Sequence, residues 1–148
     1  MKSIHEWHDR HYTVTTDITR LDIGKIHDYL THSAWAEGIS RELVNESILN
    51  SLCFGLFAGT EQIGFARVVT DGATFGYLCD VYIIDEYQKQ GLSRWLMECC
   101  QSHPVMNRLR RIMLVTSSAP WLYEKSGYRP VNRENYIWQI VRPDIYKQ

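Results

Sequence analysis

The sequence predicts one α/β domain spanning residues 1–148, built on a twisted, mixed and mostly antiparallel sheet. About six to seven strands are expected, with a splayed parallel pair at the centre and about four flanking helices. Three observations predict it. Strand-like and helix-like segments alternate in the order β-α-α-β-β-β-α-β-α-β-β. Turn residues at 59–62 and 71–72 join neighbouring strand runs. A strand, a helix and a strand across residues 77–116 form a crossover, the connection that parallel strands require.

Each element has its own signal. Residues 11–17 are rich in β-branched side chains and read as the first strand. Residues 22–32 place Ile23, Ile26 and Leu30 at helical spacing behind Asp22, whose charge suits the start of a helix. Ser40 reads as the cap of a second helix with Leu43, Val44, Ile48 and Leu49 as its apolar stripe. Residues 52–58 and 63–70 are apolar strands around a hairpin turn, and residues 77–84 form the strongest strand of the chain. A helix over residues 91–102 turns Leu92, Trp95, Leu96 and Cys99 to one side. A fifth strand over 111–116, a short helix over 119–126 ended by Gly127, and strands at 128–131 and 136–141 complete the order.

Composition limits the classes of function. The chain has 148 residues, of which 45% are hydrophobic, 22% charged and 12% aromatic, so it can bury a core and is not a disordered chain. Sixteen basic and seventeen acidic residues leave a formal charge of −1, which provides no overall attraction to nucleic acid or to an anionic membrane. No apolar stretch approaches the roughly 20 residues that cross a bilayer, and the first eight residues lack the apolar segment of a secretion signal. Cys53, Cys79, Cys99 and Cys100 show no CxxC spacing and read as reduced structural thiols, so a cytoplasmic location is expected.

The chemistry is expected after the central strand, where residues 85–96 lead into a helix. Backbone N–H groups at a helix start point outward at the positive end of the dipole and suit a phosphate. Lys89 and Arg94 add positive charge there. Neither a GxxxxGK[ST] loop nor a GxGxxG fingerprint occurs, which counts against a nucleoside triphosphate or a dinucleotide. From the residues alone, an anion site and an ordinary glycine-containing helix start both remain open.

Gln88-x-x-Gly91-x-Ser93, preceded by Val81-Tyr82-Ile83 on a strand, resembles the [QR]-x-x-G-x-[GA] signature of the GNAT superfamily of N-acetyltransferases. Leu122-Tyr123-Glu124-Lys125-Ser126-Gly127-Tyr128 resembles the family's LYEKxGF segment, and the element order is similar over nearly the whole chain. Two departures stand out: Ser93 replaces the preferred Gly or Ala, and Thr116 stands where many members have Asn. The resemblance implies acetyl-CoA as co-substrate and an N-acetyltransferase acting on a primary amine, by direct attack in a ternary complex. It implies that Gln88, Lys89, Gln90, Gly91, Leu92, Ser93 and Arg94 hold the pyrophosphate. Val81, Tyr82 and Ile83 would pair with the pantetheine, and Thr116 and Tyr123 would complete the donor side.

For catalysis, Tyr123 is the expected proton donor to the departing thiolate, since a phenol with a pKa of about 10 is protonated at neutral pH. Asp80, a carboxylate within an apolar strand, is read both as a general base acting through water and as the holder of a purely structural hydrogen bond or salt bridge. Alternation places Asp80 with Leu78, Tyr82 and Ile84, and Tyr77, Cys79, Val81 and Ile83 on the other face. Trp35 and Trp121 are the candidate acceptor-binding residues, for a small-molecule or peptide amine; no metal site is expected. His5, His8 and His11 read as surface histidines, and residues 108–111 as a solvated basic run. A non-catalytic acyl-CoA sensor is the rival reading, transfer to a hydroxyl is a third, and the open sheet edges are compatible with a homodimer.

Overall fold

The computed structural model describes residues 3–147. Its centre is a six-stranded sheet in sequence order: β1 (Glu6–Asp9), β2 (Tyr12–Thr15), β3 (Leu52–Ala58), β4 (Glu61–Thr70), β5 (Phe75–Ile83) and β6 (Arg111–Met113). The first five strands pair antiparallel, and β6 runs parallel to β5. Helices α1 (Ile23–Thr31) and α2 (Arg41–Leu49) fill the excursion between β2 and β3. Helices α3 (Leu92–Ser102) and α4 (Pro104–Arg108) form the crossover to β6, and α5 (Pro120–Glu124) follows it.

Local chemistry sets the helix starts. Asp22 accepts from the Lys25 N–H at 3.1 Å and Ser40 from the Leu43 N–H at 3.2 Å, each satisfying a donor that the first turn leaves unpaired. Pro104 opens α4, where a missing N–H costs nothing, and His103 Nδ1 accepts from Val105 N–H at 3.0 Å.

Two apolar clusters hold the layers together. One packs Leu92, Leu96, Met97 and Cys100 of α3 on Phe54, Val68, Leu78 and Ile83. The other packs Ile26 and Leu30 of α1 and Val44 and Ile48 of α2 on Cys53, Phe65 and Tyr82. Each fully buried Leu, Ile or Phe contributes about 1.5–3 kcal/mol, so the sheet is held from both faces.

The sheet carries a bulge where the site lies. Phe65 pairs with Tyr82 and Arg67 with Cys79, so Ala66 faces both Asp80 and Val81. Asp80 takes up the extra residue at φ +54°. The bulge corrects the simple alternation expected for this strand. Leu78 packs beneath α3 together with Val81 and Ile83, whereas Tyr82 lies in the cluster beneath α1 and α2.

Three further expectations change. The segments 128–131 and 136–141 form no strand in the structure. Pro130 removes a ladder donor from the first. The second is folded on itself: Asn135 has φ +58°, and its carbonyl accepts from Trp138 Nε1 at 2.7 Å. The strand expected over 111–116 ends at Met113, and β1, a strand not expected, runs through His8, which is exposed as is His11. There, His5 lies with its ring 4.5 Å from that of buried His103.

Candidate acyl-donor and acceptor site

The loop between β5 and α3 is shaped by its backbone. Residues Asp85–Tyr87 make one short helical turn, and the Gln88 N–H closes it on the Asp85 carbonyl. The Gln88 side chain donates to the Ile83 carbonyl at 2.8 Å and to Asp85 Oδ1 at 3.3 Å. Gln88 therefore braces the loop, and its own N–H is already used. Lys89 at φ +65° and Gly91 at φ +80° then turn the chain sharply into α3.

This turn leaves a row of free donors. The first backbone bond of α3 runs from Trp95 N–H to the Gly91 carbonyl. The N–H groups of Lys89, Gln90, Gly91, Leu92, Ser93 and Arg94 have no acceptor among the described residues. Leu92 anchors the turn in the core at 3% exposure, while Lys89 and Arg94 are exposed beside it. A Cβ built on Gly91 meets nothing within 4 Å, so the turn is open on that side. Tyr12 donates to Gln90 Oε1 at 3.3 Å and ties the turn to β2.

Beside the cradle the sheet opens. β5 and β6 pair only from Phe75–Arg111 to Tyr77–Met113, and β5 continues without that partner to Ile83. Val81, Tyr82 and Ile83 thus line one side of a wedge, on a stretch of β5 that has no β6 partner and whose Ile83 carbonyl is taken by Gln88. Tyr123, on α5, stands in the apolar cluster of α3, its ring edge-on to Tyr128 at 6.0 Å. Burial raises its pKa above the ordinary phenol value, with Cys100 adding to the effect, so it stays protonated at neutral pH. Its hydroxyl has no hydrogen-bond partner among the described residues. The Thr116 hydroxyl, by contrast, accepts from Ala119 N–H at 3.1 Å and shapes the entry to α5.

The opposite face of β5 is aromatic. Tyr29 stacks on Tyr82 at 3.8 Å, and Trp35 lies 6.4 Å from Tyr29. A cavity of about 250 Å³ lies there, lined by Lys25, Asp28, Tyr29, Gln62 and Tyr82 among others. Asp80 accepts from Arg67 Nε at 2.8 Å and from Trp35 Nε1 at 2.9 Å. Trp121 is 59% exposed on α5, with no ring contact to Trp35. The structure therefore joins Trp35 to Asp80 and leaves Trp121 apart.

Arg67, Tyr29 and the bracing role of Gln88 were not visible from motifs. The signal for Arg67 was present nonetheless: it is a lone charge in one apolar strand, as Asp80 is in the next. The cysteines offer no nucleophile. Burial pushes Cys53 up to about 12, Cys79 to about 11 and Cys99 to about 12, so these thiols stay protonated near neutral pH.

A strand that parts from its parallel neighbour beside a donor-lined helix start suits an anionic group with an extended arm. Residues 14–140 match the model of the acetyltransferase (GNAT) domain. A Gibberella zeae protein provisionally named an acetyltransferase is 34% identical over 144 residues, covering 81% of this chain and 80% of its own. A crystal structure from Xanthomonas campestris pv. campestris, provisionally assigned to the same family, superposes with a TM-score of 0.87 at 38% identity, covering 100% of this chain and 99% of that one. A Clostridium acetobutylicum structure with acetyl-CoA shares the fold at TM-score 0.63 and 14% identity, covering 95% of this chain and 96% of that one. The chain belongs to the GNAT acetyltransferase family.

Proposed function

We propose that the protein transfers an acetyl group from acetyl-CoA to a primary amine by direct attack in a ternary complex. The observation that carries this reading is the row of unpaired N–H groups from Lys89 to Arg94, at a turn whose Gly91 side is open, next to the stretch of β5 that has no β6 partner. These groups fit a diphosphate, because the donors are fixed and sit at the positive end of α3. The β5 edge fits the amides of a pantetheine arm, which would add to it as a strand.

Acetyl-CoA supplies an acetyl group already activated as a thioester, so no covalent enzyme intermediate is needed. The buried, protonated cysteines agree with that route. The bulge at Asp80 and Val81 interrupts the β4–β5 ladder, and a backbone N–H released there would serve the carbonyl oxygen as it gains charge. The amine nitrogen bonds to the carbonyl carbon as the carbon–sulfur bond breaks. The nitrogen releases one proton to solvent, Tyr123 gives one to the thiolate, and solvent reprotonates Tyr123. Trp35 and the Tyr29–Tyr82 stack supply a wall for the body of the amine, with Trp121 nearer the donor side.

The test is thiol release from acetyl-CoA with a panel of phenethylamine, spermidine, a lysine peptide and a peptide with a free N-terminus. Release that depends on one of these amines supports transfer. Binding of acetyl-CoA without release for any amine would favour a sensor, and no binding would reject both.

A further inference from the structure

We propose that Arg67, Asp80 and Trp35 form a clamp that holds the acceptor wall and the strand bulge in register, with Asp80 a positioning residue and not the general base. The kinetic part of this proposal rests on the acetyltransferase reading. Asp80 occupies a left-handed backbone conformation at φ +54°, which a non-glycine residue adopts only where its surroundings fix it. The side chain shows what fixes it. Oδ2 takes the Arg67 Nε–H at 2.8 Å and Oδ1 takes the Trp35 indole N–H at 2.9 Å. Arg67 is itself held, donating from Nη1 to Ser51 Oγ at 3.0 Å.

Both carboxylate oxygens are thus engaged by strong donors, and only 9% of the Asp80 side chain meets solvent, against 17% for Arg67. A general base needs an oxygen free to receive a proton from the amine or from a relaying water, and this carboxylate has little room for either. A buried ion pair is also weak evidence for stability, since hydrophobic residues of similar volume often do as well. What this pair does supply is position. It spans from Ser51 before β3, through Arg67 on β4, to the bulge of β5 and the connector between α1 and α2. Trp35 is half-exposed on that connector, so the indole is a wall whose orientation Asp80 sets. The same contact pins the bulge from which Val81–Ile83 enter the wedge.

The variants Asp80→Asn, Asp80→Gly, Trp35→Phe and the Asp80→Asn/Trp35→Phe pair separate the clamp from a base. Three readouts serve: exchange of the Trp35 indole N–H in ligand-free protein by NMR, kcat and KM for the best amine of the panel, and the pH profile of kcat. The clamp predicts that indole exchange accelerates at least ~10-fold in Asp80→Asn and in Asp80→Gly. It predicts that Asp80→Asn and Trp35→Phe each raise the acceptor KM, that the pair is no worse than Asp80→Asn alone, and that the pH profile keeps its shape. Glycine, which accepts the bulge conformation without strain, folds where another substitution fails. A kcat loss of ~100-fold or more in Asp80→Asn, with unchanged acceptor KM and a lost acidic limb, would overturn the clamp in favour of a base. Unchanged indole exchange would overturn it too. Wild-type protein that binds no acetyl-CoA would reject the proposed function instead, and the exchange measurement would still judge the clamp.

Discussion

The side-chain amide of Gln88 donates to the carbonyl of Ile83 at 2.8 Å, so the loop that presents the free N–H groups is tied to the end of the strand that borders the wedge. The loop and the end of the strand, the two halves of the proposed donor site, are thereby set at a fixed spacing.

Gln88→Ala removes that tie and the bond to Asp85 Oδ1. Stability should fall by about 1 kcal/mol, and acetyl-CoA affinity by about tenfold. Calorimetric titration checks the second figure. An unchanged affinity would mean that the loop holds its shape without the brace.

Gly91 has φ +80° and no atom within 4 Å of a built Cβ, so substitution there meets strain and no crowding. Gly91→Ala should cost about 1 kcal/mol and lower Tm by about 3 °C. Gly91→Asn should lose less, because Asn tolerates the left-handed region. Both place atoms on the open side of the turn, and both should weaken acetyl-CoA binding. A thermal melt with and without the ligand separates the two effects.

Tyr123→Phe keeps the ring against Tyr128 and removes a hydroxyl that has no hydrogen-bond partner among the described residues. Turnover should fall about 10²-fold, while acetyl-CoA affinity and Tm stay near wild type. Unaltered turnover would remove Tyr123 from the role of acid.

Much of this was legible in the sequence, for identifiable reasons. The helices α1 and α2 and the strands β3, β4 and β5 carry their apolar periodicity locally; Ser40 caps α2 as expected, and Asp22, expected in the first turn of α1, caps it instead. The turn into α3 was legible because Gly91 and its neighbours form a local motif. The bulge was not, since one extra residue in β5 leaves no mark on an apolar run and yet reverses which face Tyr82 occupies. The C-terminal segment misled because Tyr136–Val141 has strand propensity, which a ladder partner alone can turn into a strand. In the structure Trp138 is 84% and Ile140 82% exposed. Arg67 was hidden for a third reason: its partner lies thirteen residues away, on the next strand.

His103 makes the fold sensitive to acid. Burial, with His5 adding to it, lowers its pKa to about 4, and its Nε2 is buried without a hydrogen-bond partner among the described residues. The unfolded chain, with a histidine near pH 6.5, binds the proton more readily than the folded one. Stability from this group is therefore complete above about pH 6.5 and is lost as pH falls towards 4, by about 3 kcal/mol. Denaturant melts over that window should show a shallower decline for His103→Asn, which retains a cap acceptor for Val105 N–H.

The central claim is that the amides of residues 89–94 grip the diphosphate of acetyl-CoA, and backbone amide shifts on titration with that molecule test it most directly. The predicted result is saturable shifts concentrated at residues 89–94 and 81–83, which desulfo-CoA reproduces because it retains the diphosphate. Well-dispersed spectra in which those amides stay still at millimolar ligand would contradict it.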